Sequence, residues 1–360
     1  MRRVHINSVN AGDKLARPIL RENGNVLLGV GTALNDRFIQ SLKEMGVDIV
    51  YIDEGHTSDI IPDEVVREET RKAAVETIYK TVGSVMDMPV TRGRAVAPEM
   101  GRTFRGVFGQ IIQDLISRKD VMYSLTSIHV ADAYLFNHAV NVAILAGIMG
   151  MAKGYNRNQI EDLGIGALLF DIGMTKVPKE LLSKSTPLSP DERIVVERHA
   201  AEGFNMLRQQ HDISLLSANC ALQHHERYDG TGYPCGLKKG EIHEYAQIVA
   251  IADVYDALTS PRSYRNRYTP SDAIEYLFAA GNSYFDIDLI QLFGKHISIY
   301  PVATTVLLNT GQVGVVSANN PLSVHRPVIR ILREADGMPS ASPYEIDLKQ
   351  DLHLMIVKEL

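Results

Sequence analysis

Cysteine is nearly absent. The 360 residues carry only Cys220 and Cys235, too few for a disulfide framework, and the lack of thiolate clusters disfavours a structural zinc site. Positive charge is not in excess: Lys and Arg number 37 against 43 Asp and Glu, a net charge of −6. Duplex nucleic acid is recognised through a basic footprint, so no duplex partner is expected, although a small phosphorylated ligand needs only a few local cations. Long apolar runs are missing as well. The longest, around His138 to Ala152, is interrupted by His138, Asn141 and glycines and is too short to span a bilayer. Arg2 and Arg3 lead into Val4-His5-Ile6-Asn7, which is no apolar export segment; a soluble, cytoplasmic chain with no membrane partner is the expectation. There is no internal repeat and no low-complexity tract. With 45% apolar and 22% charged residues, wholesale disorder is excluded.

What is present fits roughly two domains, or one large core with appendages, at about 100–200 residues per domain. Residues 1–60 read as a small α/β N-terminal domain. Gly24-Asn25 between short apolar runs suits a hairpin, Asn35 can cap a helix running through Met45 and ended by Gly46, and Val47 to Ile52 reads as a strand. Gly29-Val30-Gly31 lacks the third glycine of a dinucleotide loop and fits a hairpin turn better. Residues 61–124 form a helical linker region, with a polar-faced helix from Asp63 to about Asp87 and a looser Pro/Gly/Arg stretch from Met88 to Gly101. Helical periodicity dominates residues 125–298. The tail, 299–360, is β-rich: Val306-Leu308, Val313-Val316, Val328-Ile331 and Leu354-Val357 are short β-prone runs split by Gly, Asn and Pro. The fold class expected is therefore mainly α, a helical bundle flanked by a small N-terminal α/β unit and a β-rich C-terminal tail.

The middle segment places His and Asp on helical faces that should otherwise be apolar. His138 shares its face with Tyr134, Leu135 and Val142. Asp171 ends a helix over Gln159 to Phe170, with Gly173 as its stop. Ser189-Pro190-Asp191-Glu192 is a capping box that opens a helix carrying His199 beside Val195 and Val196. Asp253 has Val249, Ala250 and Ala257 on its face and points inward. A lone His on such a face is usually a satisfied core residue, but a carboxylate aimed at a core is far less tolerable. Several of them on successive helices make a shared cation the simplest explanation, and imidazole with carboxylate suits Fe, Mn, Zn or Co. A hydrogen-bonded polar core network is the alternative.

The strongest local pattern is His224-His225-Glu226-Arg227-Tyr228-Asp229-Gly230-Thr231-Gly232-Tyr233-Pro234, two adjacent His followed by a Gly-rich turn. It resembles the motif of the HD-GYP family, bacterial metal-dependent phosphodiesterases of cyclic di-GMP within the all-helical HD superfamily. The resemblance extends from about Tyr134 to Phe285. Tyr134-Leu135-Phe136-Asn137-His138 resembles the family's first His motif, His199-Ala200-Ala201-Glu202-Gly203 the second, and Ile251 to Thr259 the last Asp motif, followed by the basic Arg262-Ser263-Tyr264-Arg265. The resemblance implies metal ligands at His138, Asp171, His199, His224, His225 and Asp253, with Asp171 as the catalytic bridge between two metals. One metal would add His138 and Asp253, the other His199, His224 and His225. Tyr134 stands where some relatives use a Glu for a third metal, so one or two ions are implied, Fe or Mn foremost. Gly232, Tyr233 and Pro234 match the motif, and Arg262 and Arg265 match phosphate-contacting positions. The reaction implied is hydrolysis of the 3′–5′ phosphodiester of cyclic di-GMP to pGpG or GMP.

The departures matter equally. The family's His-Asp doublet reads Phe170-Asp171 here, and the Lys that usually follows is Met174. Phe cannot ligate a metal, so the first site keeps three protein ligands while Asp171 with three His stays complete. A weakened phosphodiesterase, a degenerate nucleotide-binding or protein-interaction module, and an enzyme retuned to another phosphate ester all follow from this pattern. Retention of the complete four-ligand set favours the first. Either appendage could serve signalling protein partners or a homodimer.

Overall fold

The computed structural model describes residues 1–21, 25–62, 64–86, 99–118, 128–129, 134–182, 184, 186–260, 267–321 and 323–360, with residues 82, 84–86, 128–129 and 134–135 described by backbone alone. The N-terminal unit holds β1 (Arg2–His5), β2 (Lys14–Leu15), β3 (Ile19–Leu20), β4 (Val26–Leu28), α1 (Asp36–Glu44) and β5 (Ile49–Asp53). β5 lies between β1 and β2, antiparallel to both, with Arg2 opposite Ile52 and Leu15 also opposite Ile52 on the other side. β3 and β4 form the expected hairpin, Ile19 opposite Leu28; Gly24 of its turn lies outside the described residues. The Asn35 side chain accepts from Phe38 N–H at 2.9 Å and caps α1. Gly46, at φ +73°, terminates it in a conformation that costs a glycine little.

The helical body contains α2 (Glu68–Met86), α3 (Met100–Ser117), a short strand β6 (Ile128–His129), α4 (Tyr134–Ala152), α5 (Arg157–Leu169), α6 (Lys179–Leu182), α7 (Pro190–Glu197), α8 (His199–Leu207), α9 (Leu215–Gln223), α10 (Glu244–Thr259), α11 (Pro270–Ala279) and α12 (Ile287–Gly294). α4 is apolar nearly all round and becomes the central helix, with Val140, Val142, Ile144 and Leu145 fully buried. α2 and α3 are not spacers. Val75 and Ile78 from α2 and Phe104, Phe108 and Ile111 from α3 share one buried cluster with α4, α5 and α10. Gly101, expected in a loose stretch, sits in the first turn of α3, where an added Cβ would come within 2.2 Å of the Asp212 carbonyl oxygen. Residues 87–98 of that expected linker lie outside the described residues. α2 begins at Glu68, after a non-helical stretch over residues 64–67, and the Asp114 carboxylate accepts from Arg67 N–H at 3.0 Å and caps the helix from across the bundle; Asp63, the expected start, lies outside the described residues.

The C-terminal unit is an antiparallel five-stranded sheet of β7 (Thr305–Leu308), β8 (Val313–Ala318), β9 (Val328–Arg333), β10 (Pro339–Asp347) and β11 (Ile356–Glu359), in the order β10-β9-β8-β7-β11. β10 was not expected from sequence. It is a largely exposed edge strand with Pro339 and Pro343, so it carries no apolar alternation to announce it. The two appendages meet. Arg3 N–H donates to Ala303 O at 2.8 Å, the Arg3 guanidinium reaches Thr304 and Glu359, and Ala303 and Val315 belong to the N-terminal core. β6 pairs parallel to β3 and ties the chain just before α4 to the same body. Among the described residues no helix is long and apolar enough to cross a membrane.

Candidate metal centre

Four polar side chains meet where α5, α8 and α9 converge. α5 starts at an Asn156–Gln159 capping box and ends with Phe170 as its C-cap; Asp171 then opens a 3-10 turn over Ile172–Lys176. Gly173 does not stop the helix through a left-handed conformation, as the sequence suggested. It permits contact: a Cβ there would lie 1.9 Å from the His199 carbonyl oxygen and 2.6 Å from Gly203 N. That approach of backbone to backbone sets Asp171 beside the first turn of α8. His199 begins α8 rather than lying within the helix capped by Ser189, since the chain turns at Arg198 between α7 and α8.

Each buried imidazole is oriented by backbone. His199 Nδ1–H donates to Val196 O at 2.7 Å, and His224 Nδ1–H to Cys220 O and Ala221 O at 3.0 Å each. His224 thereby uses carbonyls left open at the C-terminus of α9. With both Nδ1 atoms donating, both Nε2 atoms present lone pairs, and they face each other at 3.3 Å. Asp171 Oδ1 stands 3.4 Å from His199 Nε2 and 3.5 Å from His224 Nε2. This buried oxygen has no hydrogen-bond partner among the described residues. His225 completes the group, and its ligand atom and those of Asp171, His199 and His224 all lie within 4.8 Å of one another. Acceptors converging in a buried site repel unless a proton or a cation lies among them, so this donor set fits a divalent metal.

The electrostatics agree. Burial pushes the Asp171 carboxyl up, but His224 beside it, with His199 and His225 behind, outweighs burial and holds the group well below the usual carboxylate range. Burial, reinforced by His224, pushes His225 down to about 3, and burial lowers His199. Burial also acts against a proton on His224, but Asp171 more than offsets it and raises the group.

His138 and Asp253 stand outside this cluster. His138 Nε2 lies 2.9 Å from Asp253 Oδ1, and Nδ1 lies 2.7 Å from Asp256 Oδ2. Burial disfavours a charged His138, but the two carboxylates overcome it and raise the imidazole to about 10. Phe170 is fully buried beside them, its ring edge-on to His138 at 5.7 Å and to His224 at 5.0 Å between centroids. The phenyl thus occupies space beside both imidazoles without offering a ligand atom. Met174 is half-buried in the 3-10 turn. Arg262 and Arg265 lie outside the described residues, as does the Tyr134 side chain.

The Gly-Tyr-Pro turn is a clamp on His225. Tyr233 N–H donates to His225 O at 3.2 Å, and the Tyr233 ring stacks on the imidazole at 4.7 Å and 29°. A Cβ on Gly232 would come within 2.3 Å of Arg227 N and 2.5 Å of His225 O, so only glycine allows the turn to close. Pro234 is exposed behind a cis peptide bond. Buried Glu226 holds the far side of the loop by accepting from Cys235 N–H at 2.6 Å and Leu237 N–H at 2.9 Å. Sequence reasoning missed the parts played by Glu226 and Asp256. Asp256 follows Asp253 by three residues on one helix face, a spacing that could have drawn attention to it.

Residues 111–289 match the HD domain family, and residues 305–360 match a family described as a KOW domain associated with HD domain. The chain is similar to the cyclic di-GMP phosphodiesterase PA4108 of Pseudomonas aeruginosa, 32% identical over 239 residues covering 66% of this chain and 58% of that protein. It is also similar to the cyclic di-GMP phosphodiesterase response regulator RpfG of Xanthomonas campestris pv. campestris, 38% identical over 143 residues, 39% of this chain and 38% of that one. A cyclic di-GMP phosphodiesterase of Thermotoga maritima is 33% identical over 165 residues, 46% of this chain and 45% of its own. The matches thus span between 38% and 58% of the length of these curated relatives.

Proposed function

We propose, from the premise that this chain belongs to the HD superfamily and is of the HD-GYP type, that it hydrolyses the 3′–5′ phosphodiester of cyclic di-GMP. The observation that carries this reading is the convergence of Asp171, His199, His224 and His225 with a buried carboxylate oxygen left unpartnered. The names of the relatives add the substrate class. Water adds across a P–O3′ bond, giving pGpG, and a second addition gives GMP. A divalent metal at the four-ligand cluster, Fe or Mn, would supply Lewis acidity toward phosphate oxygens and lower the pKa of water.

This chain's own residues set the conditions. Asp171 remains ionised and supplies the negative charge of the ligand set. The carbonyls of Val196, Cys220 and Ala221 keep the His199 and His224 Nε2 lone pairs aimed inward. Tyr233 covers one face of His225 and limits water there. Arg262 and Arg265 are assigned to the substrate phosphates. A second ion at His138 and Asp253 is part of the proposal at lower affinity, because Phe170 contributes no ligand and His138 is already engaged by two carboxylates. We place the protein in the cytoplasm, where the free thiols of Cys220 and Cys235 are at home. Homodimerisation or docking of signalling proteins through the joined appendages extends the same reading, and light scattering on the purified chain tests the dimer.

Phe170 wedged against both imidazoles is the one observation that favours the second reading, a degenerate nucleotide-binding or protein-interaction module. Elemental analysis together with cyclic di-GMP hydrolysis under added Mn²⁺ or Fe²⁺ separates the two, run on the wild type and on Phe170→His/Met174→Lys. At least one ion per chain with turnover in the wild type is expected. Turnover only in the double variant would favour the degenerate module, and turnover in neither, with no metal bound, would sink the proposed function.

A further inference from the structure

A buried guanidinium from outside the matched HD segment ends at the same histidine that lost its neighbour to Phe170. Arg71, on α2, is 7% exposed, and no carboxylate lies within ion-pair distance of it among the described residues. Its hydrogen bond is to Asn141 Oδ1 on α4, and its Nε has no partner among the described residues. A buried cation held this sparsely does little for stability. Its position does, however, agree with the direction of every bond that follows and anchors the first of them. A guanidinium only donates, so Asn141 must turn its oxygen toward Arg71. The Asn141 amide nitrogen then donates to Asp256 Oδ1 at 2.8 Å. Asp256 uses its other oxygen to accept from His138 Nδ1–H at 2.7 Å, supported by the Ser260 hydroxyl at 3.3 Å. His138 Nε2 is left facing Asp253 Oδ1 at 2.9 Å.

We infer that Arg71 is a positioning residue for the candidate site: through Asn141 and Asp256 it holds the ring orientation of His138, and so couples helix α2 to the His138–Asp253 pair beside the metal cluster. The inference rests on the proposed reading of that centre but describes contacts that exist without metal or substrate. All links after the first lie between α4 and α10, whereas Arg71 is the one that comes from α2, so a shift of α2 relative to α4 would be felt at His138. Without Arg71 the Asn141 carbonyl loses its donor and the amide is held on one side only, by its bond to Asp256, so the relay to His138 loosens.

The test is proton NMR on the full-length, metal-free protein labelled with ¹⁵N-histidine. Wild type and Arg71→Lys should show a downfield, slowly exchanging His138 Nδ1–H resonance. In Arg71→Met, which keeps the stem and removes the donors, that resonance should move upfield or be lost to exchange. If Arg71→Met does not fold, Asn141→Ala cuts the same relay one step nearer His138 and should give the same loss. An unchanged resonance in the folded variant, or none in the wild type, overturns the inference. In parallel, Arg71→Met should lower kcat for cyclic di-GMP by roughly tenfold with little change in KM, the size expected for an outer-shell partner. A wild type without turnover would remove the kinetic arm along with the proposed function, and the resonance would still decide the relay.

Discussion

Replacing Gly173 by Ala should dismantle the candidate metal centre from a position outside its proposed ligand set. The added Cβ would lie 1.9 Å from His199 O, 2.6 Å from Gly203 N and 2.8 Å from His199 C. Ordinary contact between such atoms is about 3.5–4.0 Å, so the turn carrying Asp171 and the start of α8 must separate by roughly 1.5 Å. All three atoms are backbone, and no side chain can swing away to absorb the change. Overpacking of this kind costs about 1–3 kcal/mol. The functional effect should be larger, because metal ligands tolerate departures of only about 0.2 Å, whereas Asp171 Oδ1 now stands 3.4 Å from His199 Nε2. Gly203→Ala is the control: its Cβ would meet Gly173 N at 3.2 Å and Ala221 Cβ at 3.3 Å, so a shift of a few tenths of an ångström suffices. Isothermal titration with Mn²⁺ and thermal unfolding of both variants provide the assay. Gly173→Ala should lose at least tenfold in affinity and unfold several degrees lower, and Gly203→Ala should lose far less. Wild-type affinity in Gly173→Ala would refute the argument that this close approach positions Asp171.

Other consequences follow from the same geometry. In the metal-free protein the folded-state pKa of His138, about 10, lies above the ordinary value of 6.5. His138 therefore contributes stability that is fully present below pH 6.5 and lost as pH rises through 10; denaturant titrations at pH 6 and pH 10 should show the loss in the wild type and not in His138→Asn. The depressed pKa of His225, about 3, acts in the opposite direction, so acidification from pH 6.5 toward 3 should destabilise the metal-free chain, and His225→Gln should lessen that acid sensitivity. Glu226→Ala strands two loop N–H groups and should cost about 1–3 kcal/mol for each one left unsatisfied, with faster hydrogen exchange at Cys235 and Leu237. Removing residues 1–60 would uncover Ala303 and Val315 and should lower the unfolding temperature of the C-terminal sheet, whereas independent appendages would leave it unchanged.

Much of the candidate site could be read from the chain because its candidate ligands are announced locally. His224 and His225 stand next to each other at a helix end, and His199 follows a capping box. Asp253 occupies a helix face lined by alanine and valine, where an unpaired carboxylate would be costly. Element types follow from period and punctuation in the same way, as Asn35 and Gly46 show at the two ends of α1. The resemblance had already set His138 with Asp253 and His199 with His224 and His225, Asp171 being shared. Only the fold shows Asp256 as a further partner of His138 and Phe170 lying against both the His138 and His224 imidazoles.

The sequence by itself determined the helical and strand periods, the caps, the charge balance and the residue types able to hold a metal, since each is a property of neighbours within a turn or two. The tertiary structure alone decided what depends on distant segments meeting. It made Gly173 a contact residue rather than a helix stop, drew α2 and α3 into the bundle core, and joined β1 to the chain before β7. It also led Arg71 through Asn141 and Asp256 to His138. Local sequence encodes which bonds a residue can make, but its partner is chosen by packing, where burying an unpaired polar group costs more than almost any local preference can offset.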